Sequence, residues 1–83
     1  MHFVYILKSL KDGGFYIGCS TSVERRLEEH NVGKTPSLKN RRPLEIVYTE
    51  QYDNAEAAYK REKQIKSYRG GEAFKKLING GVA

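Results

Sequence analysis

The segment "HFVYILKSLKDGGFYIGC", residues 2–19, leaves the chain few structural options. Its two ends are rich in β-branched and aromatic residues, and the "KDGG" between them supplies residues that tolerate a positive φ. It therefore reads as a β-hairpin in which "FYIGC" is the return strand. Pairing Leu7 with Gly14 sets Tyr5 opposite Tyr16, and directly opposed side chains share one face of a sheet.

A helix follows. Thr21 and Glu24 form a capping-box pattern, in which hydroxyl and carboxylate each satisfy a free backbone N–H, so a helix is expected from about Ser22 to Asn31. Val23, Leu27 and His30 fall at i, i+4 and i+7 and define its inward stripe, with Gly33 placed to end it. Arg26 and His30, four apart, are neighbours at one edge of that stripe.

"GKTPSLKNRRP" is polar, basic and holds both prolines, which marks a loop leading into "LEIVYTE". That third strand alternates Leu44, Ile46 and Tyr48 on one face against Glu45, Val47 and Thr49 on the other. Asp53 or Asn54 is positioned to cap a second long helix over Ala55 to Tyr68, closed by Gly70 and Gly71. Its inward stripe reads Ala55, Ala58, Tyr59, Glu62 and Ile65. A short last helix is expected from Ala73, Phe74, Leu77 and Ile78, with Gly80 as terminator. The element order is ββαβαα, an α+β class, in one domain over residues 1–83.

A chain of 83 residues hides only about 60 to 65 % of the surface its unfolded form exposes, so its core is thin. Hydrophobic residues make up 39 % and charged residues 30 %, the balance of a folded domain rather than a disordered tail. Fifteen Lys and Arg against ten Asp and Glu leave a net charge of +5, which favours polyanionic partners. Cys19 is the one cysteine, so neither an internal disulfide nor a cysteine-based zinc site is expected, and a reducing cytoplasm is the simplest setting. The run "FVYIL" is too short for a membrane span or a signal-peptide core, so no membrane association is expected.

Glu62 is the anomaly of the second long helix, because a carboxylate on an apolar stripe needs a partner or a proton. Two arrangements account for it. Glu62 is a Mg²⁺ ligand, since that ion keeps most of its waters and takes only one or two protein carboxylates. Alternatively, the helix is rotated so that Glu62 sits at the boundary and pairs with Lys66 at i+4.

Arg26 has the forked, permanent charge needed on a pentacovalent phosphorus, or it pairs with Glu28 or Glu29 on its own helix. His30 is a phosphate donor or proton carrier, or a ring that fills the helix stripe. Tyr5 and Tyr16 can position water or move a proton, or serve as core residues with a polar tip. Gly18 opens backbone access to a phosphate, or simply ends a strand. Ser20, Thr21 and Ser22 are explained by capping, and Cys19 by small core packing.

Their order and spacing tie these residues together. "VYIL", "YIG" eleven residues after the first tyrosine, Arg26, His30 within "HNVGK", "RRP" before a "VY" strand, and "REKQIK" resemble the GIY-YIG nuclease superfamily over nearly the whole chain. The likeness is greatest to its small stand-alone bacterial members, of the excision-repair nuclease-like type.

The resemblance implies a three-stranded antiparallel sheet flanked by helices, and phosphodiester hydrolysis with one divalent ion, Mg²⁺ or Mn²⁺. It makes Tyr5 and Tyr16 the signature tyrosines, Gly18 the signature glycine, Arg26 the phosphate-stabilising arginine and Glu62 the metal ligand. His30 stands where the family has histidine or tyrosine, and either Tyr5 or His30 is the base. The metal and Arg26 are expected to lower the Tyr5 pKa. Phe3 and Val4 stand where the family has glycine and isoleucine before the first tyrosine, and no attached DNA-binding domain is expected.

The function expected on this ground is a metal-dependent endonuclease acting on DNA, including structured or single-stranded forms, in repair or processing. DNA is favoured over RNA because no RNA-binding signature is present. The alternative is a non-catalytic nucleic-acid binder on the same scaffold, with Lys34, Lys39, Arg41 and Arg42 on phosphates. A module that meets an acidic protein partner is a third reading.

Overall fold

The structure is a computed structural model that describes residues 1–33 and 42–80. Strand β1 (His2–Ser9) and strand β2 (Phe15–Ser20) form the expected hairpin. The turn is pinned by side chains. Ser9 Oγ accepts from the backbone N–H groups of Lys11 and Asp12, Asp12 Oδ1 accepts from Gly14 N–H, and Gly13 takes φ +75°.

This turn, over residues 10–13, is centred one residue later than expected and so shifts the register by two. Leu7 pairs with Tyr16, and Tyr5 pairs with Gly18 rather than with Tyr16. A two-residue shift preserves the facing of every side chain, so the two tyrosines still share a face.

Helix α1 (Val23–Asn31) is capped by Ser22, whose extended backbone lets its side chain accept from Arg25 N–H. The cap is thus one residue later than the Thr21–Glu24 pattern predicts. Ser20 Oγ accepts from Ser22 N–H and orders the turn that sets Ser22 in place. Gly33 at φ +86° ends the helix, as expected.

Strand β3 (Leu44–Tyr52) runs antiparallel to β1 and completes a sheet of order β2-β1-β3. The register slips at Ile6/Leu7, where Ile6 pairs with Tyr48 but Leu7 pairs with Ile46. Val47 is therefore a bulge residue, and the simple alternation fails there. Leu44 and Ile46 face α1 with Leu7, whereas Val47 and Tyr48 pack on the opposite face with Ile6.

Helix α2 (Ala55–Ser67), capped by Asn54, packs on that opposite face, followed by helix α3 (Glu72–Gly80). Ala58 and Ile65 are buried as expected, but Tyr59 is 56 % exposed, so the inward stripe is narrower than predicted. In α3, Phe74 is buried and Ala73 is not.

β1 is the keystone, because Val4, Tyr5, Ile6 and Leu7 are all buried in succession. Val4 and Ile6 join Ala58, Ile65 and Phe74 on one side of the sheet, while Tyr5 and Leu7 join Val23 and Leu44 on the other. Each fully buried aliphatic side chain contributes about 1.5 to 3 kcal/mol. Among the described residues no helix is long and apolar enough to cross a membrane.

Candidate active site

The α1 face of the sheet gathers four of the residues the sequence singles out. Tyr5 on β1 and Tyr16 on β2 lie diagonally across the hairpin with ring centroids 6.4 Å apart. His30, one helical turn after Arg26 on α1, packs edge-on against Tyr16 at 5.1 Å, and its Nε2 lies 3.5 Å from the Tyr5 hydroxyl. Arg26 hydrogen-bonds the Tyr5 hydroxyl and donates to Glu29 Oε1 at 3.2 Å.

Gly18 makes the close packing possible. A Cβ at this position would stand 2.6 Å from the Tyr5 hydroxyl oxygen and 2.8 Å from its Cζ. The Tyr5 ring therefore occupies the space that any other residue at position 18 would need. The glycine serves the tyrosine packed across from it rather than a strained φ.

Burial sets the protonation states. It pushes the Tyr5 phenol above its usual value near 10, and the Arg26 hydrogen bond only partly offsets that. The expected lowering of the Tyr5 pKa by Arg26 is thus outweighed by desolvation. Burial and then the Arg26 charge hold the His30 imidazole below 6.5, against a smaller opposing pull from Glu29. At neutral pH the pair is a neutral phenol beside a neutral imidazole. The phenol oxygen thus faces the Arg26 charge and, at 3.5 Å, His30 Nε2. Tyr5 and His30 are fully buried, and solvent meets the set through Arg26 and Tyr16, both half-buried.

Glu62 meets β2 from the other side. Its Oε1 accepts from Cys19 Sγ at 3.0 Å, and its Oε2 pairs with Lys66 Nζ at 2.6 Å. Side chains alternate along a strand, so Cys19 points to the α2 face while its neighbour Gly18 lies under Tyr5 on the α1 face. The structure thus shows the second of the two expected arrangements, a carboxylate at the boundary of the stripe paired with Lys66 at i+4. Burial, then the bond and charge of Glu62, push the Cys19 thiol up to about 12, which keeps it a neutral donor.

Arg42 donates to the Asn31 carbonyl at 3.3 Å and rests against Gly33. The other loop cations expected on phosphates, Lys34, Lys39 and Arg41, lie outside the described residues.

Three further contacts join residues far apart in sequence. Asn31 exchanges two hydrogen bonds with the Leu44 backbone, at 2.7 and 3.1 Å, and so fixes α1 against β3. Glu50 accepts from Tyr48, Tyr52 and both Nε and Nη2 of Arg61, which ties β3 to α2. Cys19 reaches Glu62 across 43 positions of sequence. No local pattern announces any of these contacts, although an asparagine closing a helix is a residue with both a donor and an acceptor to place.

Two strand tyrosines, a helix arginine and a helix histidine on one face of a three-stranded antiparallel sheet define an α+β module of GIY-YIG type. A family model described as the GIY-YIG catalytic domain matches residues 1–73, and the chain belongs to that nuclease family. It is 42 % identical over 80 residues to a UPF0213 protein of Staphylococcus epidermidis, covering 95 % of this chain and 96 % of that one. A UPF0213 protein of Natronomonas pharaonis is 45 % identical over 67 residues, covering 80 % of this chain and 78 % of the relative. The solution NMR structure of a UPF0213 protein from Bacillus halodurans superposes with a TM-score of 0.59. It shares 33 % identity and covers 94 % of this chain and 82 % of that one.

Proposed function

We propose that this protein is a metal-dependent endonuclease that hydrolyses a phosphodiester bond in DNA. The observation that carries the reading is the Tyr5 hydroxyl, set between the Arg26 guanidinium and His30 Nε2 on one face of the sheet. Arg26 neutralises charge developing on phosphorus, the role for which a fixed guanidinium fork is suited. A water oxygen forms the new bond to phosphorus and the bond to the leaving oxygen breaks. The water proton passes to the Tyr5 oxygen as the phenol proton moves to neutral His30. A phenol held neutral by burial is a poor base alone, but it can relay a proton to the neutral imidazole beside it.

A divalent ion fits this set in a limited way. Among the described residues no group of three or more His, Cys, Asp or Glu gathers around a common point, so an all-protein cage is excluded there. Mg²⁺ and Mn²⁺ need no such cage when waters and substrate phosphate complete the shell. Glu62 is the residue that would hold the ion, which when bound supplies Lewis-acid stabilisation of the phosphate and leaving oxygen. Glu62 and Tyr5 approach β2 from opposite faces at neighbouring residues. β2 is an edge strand, so a nucleic acid laid along that edge would meet Glu62 on one face and the half-buried Arg26 and Tyr16 on the other.

The test is cleavage of labelled single-stranded, duplex and branched DNA, and of RNA, with Mg²⁺ or Mn²⁺. Wild type is compared with Arg26→Ala, Tyr5→Phe and Glu62→Gln purified identically. The expected result is cleavage by the wild type that a chelator stops, with Arg26→Ala slower by about 10²- to 10³-fold. Equal inactivity of all four with retained, salt-sensitive nucleic-acid binding overturns the enzyme reading in favour of a binding module.

A further inference from the structure

Both oxygens of the Glu62 carboxylate are engaged, and by different kinds of group. Cys19 Sγ donates to Oε1 at 3.0 Å, and Lys66 Nζ pairs with Oε2 at 2.6 Å. The carboxylate is only 17 % exposed, whereas Lys66 is 54 % exposed. One partner is therefore held in the fold and the other is free to swing into solvent. A half-buried carboxylate without compensation is costly, so the resting protein needs a cation at this point.

We propose that Lys66 is a resident stand-in for the divalent ion at Glu62, which must be displaced for the ion to load, while Cys19 is a positioning residue that fixes the carboxylate's orientation. This inference rests on the nuclease reading of Glu62. An ammonium and a divalent ion compete for the same charge, so removing the ammonium raises metal affinity. The exposed half of the pair is screened by water, which limits the gain to about two- to fivefold, the range of solvent-exposed ion pairs. Cys19 acts in the opposite sense. Its S–H holds Oε1, and its loss lets the carboxylate rotate away from a productive geometry. A serine retains a donor at the same point and an alanine does not.

The experiment is a Mn²⁺ titration of the full chain, followed by paramagnetic broadening of backbone amide signals around residues 19 and 62, with Glu62→Gln subtracting binding elsewhere. Lys66→Met is expected to bind Mn²⁺ about two- to fivefold more tightly than wild type. Its melting temperature should be lower without metal and gain more from added Mn²⁺. Lys66→Gln, a polar variant at the same exposed position, should behave alike. Cys19→Ala should bind more weakly and Cys19→Ser should restore binding.

Unchanged or weaker Mn²⁺ affinity in both Lys66 variants, with broadening that still depends on Glu62, overturns the competition while sparing the metal reading. Equal binding by Cys19→Ala and wild type overturns the role of Cys19. Absence of Glu62-dependent broadening in every variant overturns the inference and the metal reading together.

Discussion

Gly18 leaves no room for a side chain because the Tyr5 ring already fills it, with the phenol oxygen 2.6 Å from where a Cβ would stand. The neighbour that would have to yield is a buried ring in the middle of the central strand rather than the end of a flexible chain. Gly18→Ala should therefore destabilise the fold by about 1 to 3 kcal/mol, the cost of overpacking a tight site. It should also move the Tyr5 hydroxyl off His30. Thermal denaturation reads the first effect and the cleavage assay the second. Combining Gly18→Ala with Tyr5→Phe should recover only part of the stability, because Cζ stays 2.8 Å from the added methyl carbon.

His30 supplies a pH prediction with a definite sign. Burial, and then Arg26, place its folded pKa below the unfolded value near 6.5. Below pH 6.5 the unfolded chain takes up a proton before the native ring does, so stability is complete above that value and falls as the pH drops. A proton NMR titration of the His30 ring should give a midpoint below 6.5. The denaturant midpoint of the wild type should fall between pH 7 and 5.5 more than that of His30→Gln. Cleavage, if it uses neutral His30, should persist somewhat below pH 6.5 before it fails.

Much of this arrangement was legible in the chain, and the misreadings have physical causes. All six elements appear in the predicted order because each carries a local period and a terminator. The hairpin register was off by two because Ser9 and Asp12 side chains fix the turn at residues 10–13, which composition does not reveal. The break in facing at Val47 comes from a bulge against Ile6/Leu7, and a bulge is invisible to an alternation rule. Tyr59 sits on the predicted stripe yet turns outward, and the face it would have covered is filled by Ala58 and Ile65 together with Phe74 of α3. The spacing of Arg26 and His30 placed them correctly on one helix edge. Their meeting with Tyr5 and Tyr16 follows from the shared α1 face of the sheet. The upward shift of Tyr5 differs from the lowering expected from Arg26 because desolvation depends on the packing around the ring, not on its charged neighbour.

Asn31 should matter more than its position at the end of a helix suggests. Its amide both donates to and accepts from the Leu44 backbone, which is the contact that holds α1 against the start of β3. Asn31→Ala leaves two half-buried backbone groups without partners and should cost about 1 to 3 kcal/mol in urea denaturation. Asn31→Asp keeps the acceptor for Leu44 N–H but places a carboxylate oxygen against the Leu44 carbonyl, so it should not recover the loss. A wild-type denaturation midpoint for Asn31→Ala would show that α1 docks without this clamp.

The Glu50–Arg61 pair gives the last prediction, on the side of the sheet away from Tyr5 and Tyr16. Burial pushes the Glu50 carboxyl up, but hydrogen bonds from Arg61, Tyr48 and Tyr52 outweigh it and hold the group below the usual carboxylate range. The same carboxylate, after the larger effect of burial, helps push Tyr52 up to about 12. A depressed folded pKa contributes stability that is present above the unfolded value of about 4.3 and is lost as the pH falls through the folded one. The two side chains are 17 % and 21 % exposed, so water screens them only in part. Arg61→Met should therefore destabilise the protein by about 1 to 3 kcal/mol at pH 7, chiefly by leaving Glu50 without its bidentate partner. Arg61→Lys should recover only part, since an ammonium cannot reproduce the two-pronged contact. Pairing Arg61→Met with Glu50→Gln removes the stranded charge and should restore some stability. The gap between wild type and Arg61→Met should narrow as urea titrations are repeated from pH 7 toward pH 3, because protonating Glu50 ends the ion pair in the wild type and the stranded charge in the variant. A gap that stays constant with pH would mean that Arg61 acts through packing along α2 rather than through the Glu50 carboxylate.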